Sequence, residues 1–454
     1  MMNIVIIGDG KVGHKLAVSL SQTDENDVVL IDSNENKIKN TINQLDIICI
    51  TGNGADIEVQ KEAGVPEADL VIACASTDEL NMISCLLAKR LGAGQTIARV
   101  RNPVYFQELE VLKDDLLLSM AVNPELALSD EIARILVFPD ASKVETFVKG
   151  RVELVEFAVK DESRIIGMSL ASIYKKYQVQ ILVCAIERKH EVHIPSGDFV
   201  VEKGDVLHIA ASHQALESFF SAIGKRVKKV RNVMICGGSH VAYYLSKKIL
   251  ALGMEVKIIE KSRERAEHLC ELLPEVTVIN GDAGKPDLLK EEGIEVTDAI
   301  VCLTGMDEEN IIMALYANTL GVRKIIAKVN EDSRAEMVEG LGIHSTVSAK
   351  GATADAIVSY VRAMNNSAGS ANVETVYQLI GGEIEAAELI IKEETNYTNI
   401  PLKDLRTKSN SLIACIARNH KIIIPNGNDH IEVGDSVVVI TDEQGIDDFD
   451  DILL

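Results

Sequence analysis

Short apolar runs rich in β-branched residues alternate along the first third of the chain with longer stretches whose apolar positions recur at helical spacing. The runs are Ile4–Ile7, Val28–Ile31, Ile47–Ile50, Leu70–Cys74 and Thr96–Val100; each predicts a strand, and the continuous hydrophobicity of Ile4–Ile7 predicts one covered on both faces. Between them, Val12, Leu16 and Leu20 fall on one helical face, as do Leu80, Ile83, Leu87 and Leu91 within Glu79–Leu91. Strand and helix in alternation with short connections predict a doubly wound parallel sheet. A further helix, Ser129–Val137, stops at Phe138-Pro139-Asp140, and the period then changes. Residues 144–220 read as short strands and turns with helices at Ser169–Lys176 and Gln214–Ile223. Ser196-Gly-Asp198 and Lys203-Gly-Asp205 supply the turn chemistry.

The pattern then repeats. Ile4-Val-Ile-Ile-Gly-Asp-Gly-Lys-Val-Gly13 returns as Val233-Met-Ile-Cys-Gly-Gly-Ser-His-Val-Ala242, an offset of 229 residues (Gly237 against Gly8). Leu30-Ile-Asp32 matches Ile258-Ile-Glu260, Thr51-Gly52 matches Asn280-Gly281, and Ala98-Arg99-Val100 matches Ala327-Lys328-Val329. The hairpin Ile194-Pro-Ser-Gly-Asp198 with Gly204-Asp205 returns as Ile424-Pro-Asn-Gly-Asn428 with Gly434-Asp435. Four domains are therefore expected: 1–143 and 229–366 as large parallel-sheet units, 144–228 and 367–454 as small α/β units. Lys225–Arg231 reads as a basic connector and Asn365–Ser370 as a flexible joint.

Gly8-x-Gly10-x-x-Gly13 follows a strand, opens a helix, and has Asp32 at the end of the next strand, the context of a Rossmann-like dinucleotide fingerprint. Gly8 allows the tight turn, Gly10 lets a pyrophosphate approach the backbone, and Gly13 permits close helix packing. The helix N-terminus offers N–H groups and partial positive charge. Asp32 can accept from ribose hydroxyls and disfavours a 2′-phosphate, whereas Lys11 either faces solvent or contacts outer phosphates. Thr51, Gly52, Ala75, Ser76 and Arg99 fall at the same carboxyl edge, with Arg99 either an ion-pair member or a phosphate or neighbouring-subunit contact. In the second copy Gly237 keeps the first position, Ser239 and Ala242 replace two glycines, His240 stands for Lys11, Glu260 for Asp32 and Lys328 for Arg99. Serine at the middle position adds atoms where a pyrophosphate should come, so weaker or differently posed binding is expected there, or a vestigial scaffold.

The 454 residues are 47% hydrophobic but only 4% aromatic, with no Trp, so the cores must come from Ile, Val, Leu and Ala. A net charge of −23 repels phosphodiesters and anionic lipid, excluding nucleic acid and direct lipid insertion as partners. The eight cysteines show no CxxC pair; Cys74 and Cys302, read at matching places, are expected to be small core residues. A strand beginning near Asn3 leaves no room for a signal peptide, and no apolar run reaches the roughly 20 residues of a membrane span, so a cytosolic protein is expected. No Cys–His or Ser–His–Asp arrangement stands out. His190 and His193 read as hairpin histidines, and Asp447, Asp448, Asp450 and Asp451 as a solvated tail. A binding protein is favoured over an NAD-dependent oxidoreductase of unknown substrate or a nucleotide-free scaffold.

These motifs and their doubled order resemble the TrkA family, regulatory subunits of Trk-type potassium uptake systems built from two RCK (KTN) modules. The resemblance covers the whole chain and implies a Rossmann-like RCK-N domain followed by a small α/β RCK-C domain, twice. It further implies a ring, a homotetramer, lying cytoplasmic and peripheral on the inner face of the membrane beneath a TrkH/TrkG-like potassium-translocating subunit, and gated by NAD(H), ATP or ADP. The pocket residues it implies are Gly8, Asp9, Gly10, Lys11, Val12, Gly13, Asp32, Thr51, Gly52, Ala75, Ser76 and Arg99. Those of the second copy are Gly237, Gly238, Ser239, His240, Val241, Glu260, Asn280, Gly281, Leu303, Thr304 and Lys328. The departures are Ser239, Ala242 and Asn428. No catalytic residue and no metal ligand is implied.

Overall fold

The computed structural model describes residues 2–21, 26–112, 115–138, 144–147, 152–160, 163–189, 191–224, 229–339, 341–343, 345–368, 372–379, 383–408, 410–419, 421–443, 446 and 448–454. They form two compact units, Met1–Ala133 with Arg231–Val358, and Arg134–Val230 with Ser359–Leu454.

The first unit holds both glycine motifs. Its first half runs β1 (Met2–Ile7), α1 (Lys11–Ser21), β2 (Asn26–Asp32), α2 (Glu35–Ile42), β3 (Ile48–Thr51), α3 (Ile57–Glu62), β4 (Leu70–Ala73), α4 (Asp78–Leu91), β5 (Gln95–Arg99), α5 (Pro103–Leu112), β6 (Met120–Val122) and α6 (Pro124–Val137). The six strands lie parallel in the order β3-β2-β1-β4-β5-β6. Chain direction across the sheet reverses between β1 and β4, so a crevice opens beyond β1, where ligands settle in open α/β sheets. Ile4 to Ile7 are all buried, as an inner strand requires. α1 buries Val12, Leu16 and Leu20, the face its spacing predicts.

On α4 the expected stripe is not the buried one. Asn81, Ser84, Cys85 and Ala88 face inward, Ile83 is exposed, and Leu80, Leu87 and Leu91 are half-buried. Small residues let the helix lie close to the sheet, and Asn81 makes polar contacts that leucine could not. The second half repeats the sheet with Asn232–Cys236, Glu255–Glu260, Thr277–Asn280, Ala299–Cys302, Lys324–Lys328 and Thr346–Val347 in the same spatial order. Helix Ala349–Ala368 runs through Asn365–Ala368, so the expected joint is helical there; buried Ala354, Ile357 and Val361 anchor it against the poor helix propensity of Asn and Ser. Gly369 and Ser370 lie outside the described residues, as do Lys225–Lys228 of the basic connector, His190 and Asp447.

The second unit contains two five-stranded antiparallel sheets. In the first, helices Leu170–Tyr177 and His213–Ala222 bury Ile173, Leu216, Phe219 and Phe220 against the sheet. In the second, the 3₁₀ turns Leu402–Asp404 and Phe449–Ile452 are present. The acidic end is therefore not a loose tail: Asp448 and Asp451 cap a turn that inserts Phe449 and Ile452 into the core. The recurring Gly-Asp turns are structural. Arg188 donates through Nε and Nη2 to both oxygens of buried Asp205, at 2.8 Å each. Arg418 grips Asp435 in the same way at 2.8 and 2.7 Å. Such two-pronged charged bonds fix geometry better than single ones.

Candidate functional site

Gly8 leaves β1 at φ +105°, and a Cβ there would lie 2.7 Å from Ala75 N, so only glycine makes this turn. A Cβ on Gly13 would lie 1.9 Å from the Gly8 carbonyl oxygen. Gly10 differs: nothing stands within 4 Å of where its side chain would be. Gly8 and Gly13 thus serve the protein's own packing, while Gly10 keeps open space in front of α1. As the residue before Lys11 it has no side chain with which to cap the helix. Lys11 is exposed and Val12 buried, so valine can offer a ligand only its backbone.

Asp32 ends β2 as expected, but it holds the loop. Its Oδ2 accepts from Asp9 N–H at 2.7 Å and its Oδ1 from Asn34 N–H at 2.8 Å, with Lys37 Nζ 3.7 Å away. Further lone pairs remain on the carboxylate. Asp9 is buried, accepting from Thr41 Oγ1 at 2.7 Å and pairing with His14 Nδ1 at 3.1 Å. Thr51 and Ser76 are exposed, and Gly52 N–H donates to the Asp32 carbonyl at 3.0 Å. Among the described residues Arg99 makes no ion pair; its Nη2 donates to the Ala75 carbonyl at 2.7 Å and its Nε is buried with no hydrogen-bond partner among them.

Two supporting residues escaped the sequence reading. Asn81 accepts from Ala75 N–H at 2.7 Å and donates to the Arg99 carbonyl at 2.9 Å, tying two strand ends together. Asp78 accepts from the N–H groups of Arg101 and Asn102 at 2.9 and 2.7 Å. The signal was in the repeat: Asp307 and Asn310 stand at the same offset of 229 (307 − 78, 310 − 81) and do the same work.

The second turn has the same backbone, with Gly237 at φ +102°. Glu260, one methylene longer than aspartate, accepts from Gly238 and Ser262 N–H at 2.6 Å each. Its reach leaves no room for a side chain at Gly238, whose Cβ would meet Glu260 Oε2 at 2.9 Å and Leu269 Cδ1 at 2.5 Å. Ser239 caps the helix His240–Ala251, its Oγ accepting from Ala242 N–H at 3.5 Å. Arg265 Nε donates to the Gly238 carbonyl at 2.7 Å. Burial and then the Arg265 charge push the His240 pKa below its ordinary value. Burial likewise lowers that of Lys328, against the pull of Asp307 and Glu125. Val241 and Leu303 are buried; Asn280 Nδ2 donates to the carbonyls of Glu260 and Lys261 at 3.0 and 3.2 Å, and Gly281 N–H to Glu260 at 2.9 Å.

Two matches shift by one residue. Thr304 N–H donates to Asn310 as Ala75 N–H donates to Asn81, so Thr304, not Leu303, is the counterpart of Ala75. Cys302 pairs with Cys236 where Ala73 pairs with Ile7, so Cys302 answers to Ala73 rather than Cys74. Both cysteines are buried in the core, and burial pushes the Cys74 thiol up to about 12.

A cavity of about 1000 Å³ lies in front of the first turn. One wall is Asp9, Gly10, Lys11, His14, Lys37 and Thr41; the other comes from the second half, with Met306, Asp307, Glu308, Asn330, Glu331, Arg334 and Lys350. Elsewhere the halves meet where Asn123 Nδ2 donates to Tyr244 Oη at 3.1 Å and where Lys248 pairs with Asp130. The volume suits a drug-sized or nucleotide-sized ligand. Among the described residues no three His, Cys, Asp or Glu side chains cluster to hold a metal.

Residues 4–124 and 233–349 match the TrkA-N domain, and residues 154–224 and 386–454 the TrkA-C domain. The chain belongs to the TrkA family. A Trk system potassium uptake protein TrkA homolog of Archaeoglobus fulgidus is 33% identical over 99% of this chain and 100% of its own length. The Trk system potassium uptake protein TrkA of Haemophilus influenzae is 30% identical over 98% and 97%. These TrkA relatives are named for potassium uptake and not for a catalysed reaction. Solved structures share the fold: the GsuK RCK domain at a TM-score of 0.62 and 16% identity, covering 97% of this chain and 92% of that one. The GsuK channel bound to NAD follows at 0.63 and 17%, covering 97% and 76%. Among the described residues of this TrkA-family chain, no helix is long and apolar enough to cross a membrane.

Proposed function

We propose that this chain is the nucleotide-sensing regulatory subunit of a potassium uptake system. NAD(H), ATP or ADP binds at the first glycine turn, and occupancy sets the conformation through which the chain gates a TrkH/TrkG-like membrane subunit. One observation carries the reading: α1 begins with an uncapped N-terminus beside the open space at Gly10, facing a cavity of about 1000 Å³. The potassium-uptake names of the relatives support it, as do structures of similar fold described as bound to NAD and to ADP.

In this proposal the phosphates rest on the N–H groups of Lys11, Val12 and Gly13, and Asp32 adds a ribose bond to the two loop bonds it already accepts. Thr51, Gly52, Ala75, Ser76 and Arg99 do not line that cavity; in this proposal they meet the rest of the ligand along the carboxyl edge of the sheet. The second turn, closed by Ser239, binds more weakly. The four-domain division, a homotetrameric ring and a peripheral place on the inner membrane face belong to the same proposal. A ligand shifts a gating equilibrium only by its differential affinity for the two states, and a tenfold difference corresponds to about 1.4 kcal/mol. Calorimetric titration of the full chain with NADH, ATP and ADP tests the reading. Binding of at least one, lost in Gly10→Asp without loss of fold, is expected; no binding by any of the three to folded protein would overturn it.

A further inference from the structure

The cavity before the first turn is completed by cations that the turn's own half does not contain. Arg334, on helix Asp332–Glu339, and Lys350, at the start of Ala349–Ala368, both line its far wall. Arg334 is held there by two carboxylates, its Nη1 2.6 Å from Glu308 and its Nε 2.9 Å from Glu331. The Glu331 loop is itself pinned, since Asp307 accepts from Asn330 and Glu331 N–H at 2.8 and 3.3 Å. The guanidinium is therefore presented from a helix whose leading loop is anchored. At the corresponding places of the first half stand Tyr105 (334 − 229) and, since Val347 pairs with Lys328 as Val122 pairs with Arg99 (347 − 122 = 225), Glu125 (350 − 225), neither of them cationic.

We propose that Arg334 and Lys350 form a subsite for the outermost phosphate of a nucleoside triphosphate whose inner phosphates rest on the start of α1. The proposal rests on the nucleotide reading of the first turn and adds what reads the length of the phosphate chain. A terminal phosphate offers the planar guanidinium a two-pronged partner, which single contacts to Glu308 and Glu331 do not. On binding, Arg334 exchanges those carboxylates for phosphate oxygens, and Lys350 adds a point charge. A ligand ending at its second phosphate leaves Arg334 with Glu308 and Glu331. Phosphate number is thereby converted into a change of bonding in the second half of the same chain.

The test is titration of ATP, ADP and NADH into the full-length protein and its Arg334→Gln, Lys350→Gln and Gly10→Asp variants. Each neutralised cation is expected to weaken ATP by about 5- to 10-fold, with ADP and NADH held within about 2-fold. The double variant is expected to bind ATP and ADP alike. Should Arg334→Gln unfold, Lys350→Gln carries the same prediction, since it leaves Arg334 in place with its bonds to Glu308 and Glu331. An unchanged ratio of ATP to ADP affinity in the folded variants, or equal loss of all three ligands, overturns the subsite while leaving the first-turn reading standing. Retention of every ligand by Gly10→Asp sinks that reading as well.

Discussion

The two glycine turns trace the same backbone and close it differently. Both begin with a glycine at φ just above +100°, and both tether the next residue's N–H to a carboxylate at the end of the neighbouring strand. In the first, the helix that follows starts behind Gly10, which has no side chain to cap it and open space where one would stand; in the second, Ser239 turns back and satisfies one helix N–H. Helix ends need partners for these donors, and a protein can supply them itself or leave them for a ligand. A binding site is thus partly defined by a bond the protein omits.

The sharpest way to break this comparison is at the third position. Gly13→Ala would place a methyl 1.9 Å from the Gly8 carbonyl oxygen, although alanine already occupies that place in the second turn. It is expected to destabilise by about 2–3 kcal/mol in urea unfolding, the upper range of overpacking, and to abolish nucleotide binding. The reciprocal Ala242→Gly should cost only about 0.5–1 kcal/mol, from helix propensity. Equal losses at the two sites would show the turns to be interchangeable.

Gly10→Ser gives the first turn the second turn's cap. Nucleotide affinity is expected to fall about tenfold, worth about 1.4 kcal/mol, while the melting temperature holds or rises slightly. Unchanged affinity would sever the link between capping and binding. Ser239→Ala should lower stability by about 1 kcal/mol, whereas Ser239→Gly should cost only a few tenths, both read from denaturant midpoints.

The smallest effect concerns pH. His240 has its pKa held below the ordinary 6.5 by burial and by Arg265, so the unfolded chain takes up its proton more readily than the native one. Stability contributed here is intact above pH 6.5 and declines as pH falls below it toward the native value. His240→Gln should flatten the slope of melting temperature against pH in that window; an unaltered slope would assign it to other groups.

Much of this was legible before the structure. Strand positions followed from apolar runs such as Ile4–Ile7, because inner parallel strands tolerate little else. Gly8 and Gly13 announced their backbone roles through spacing alone, whereas Asp32, read as a ribose acceptor, also holds the loop through Asp9 and Asn34 N–H. Other features were hidden for physical reasons. The Leu-rich face of α4 scored as its buried face, yet close packing favoured Asn81, Ser84 and Ala88, and periodicity carries no information about the distance between helix and sheet. Ser239 looked like a steric obstruction because its hydroxyl's partner, Ala242 N–H, exists only once the helix has formed. Asp448 and Asp451 looked solvated because charge pattern does not reveal that Phe449 and Ile452 between them are driven inward. Arg334 and Lys350 were invisible as site residues, since nothing local ties them to a glycine more than 300 positions earlier (334 − 10).

The far wall of the first cavity, borrowed from the other half of the same polypeptide, has a consequence for how such a sensor can change. Were two identical chains to supply the facing surfaces, every substitution would be written into both crevices at once, and improving one would disturb its twin. Covalent fusion of the repeats abolishes that obligation. One half can present a basic pair where the corresponding places of the other keep a phenol and a carboxylate, so a single molecule can house two receptors of unequal appetite.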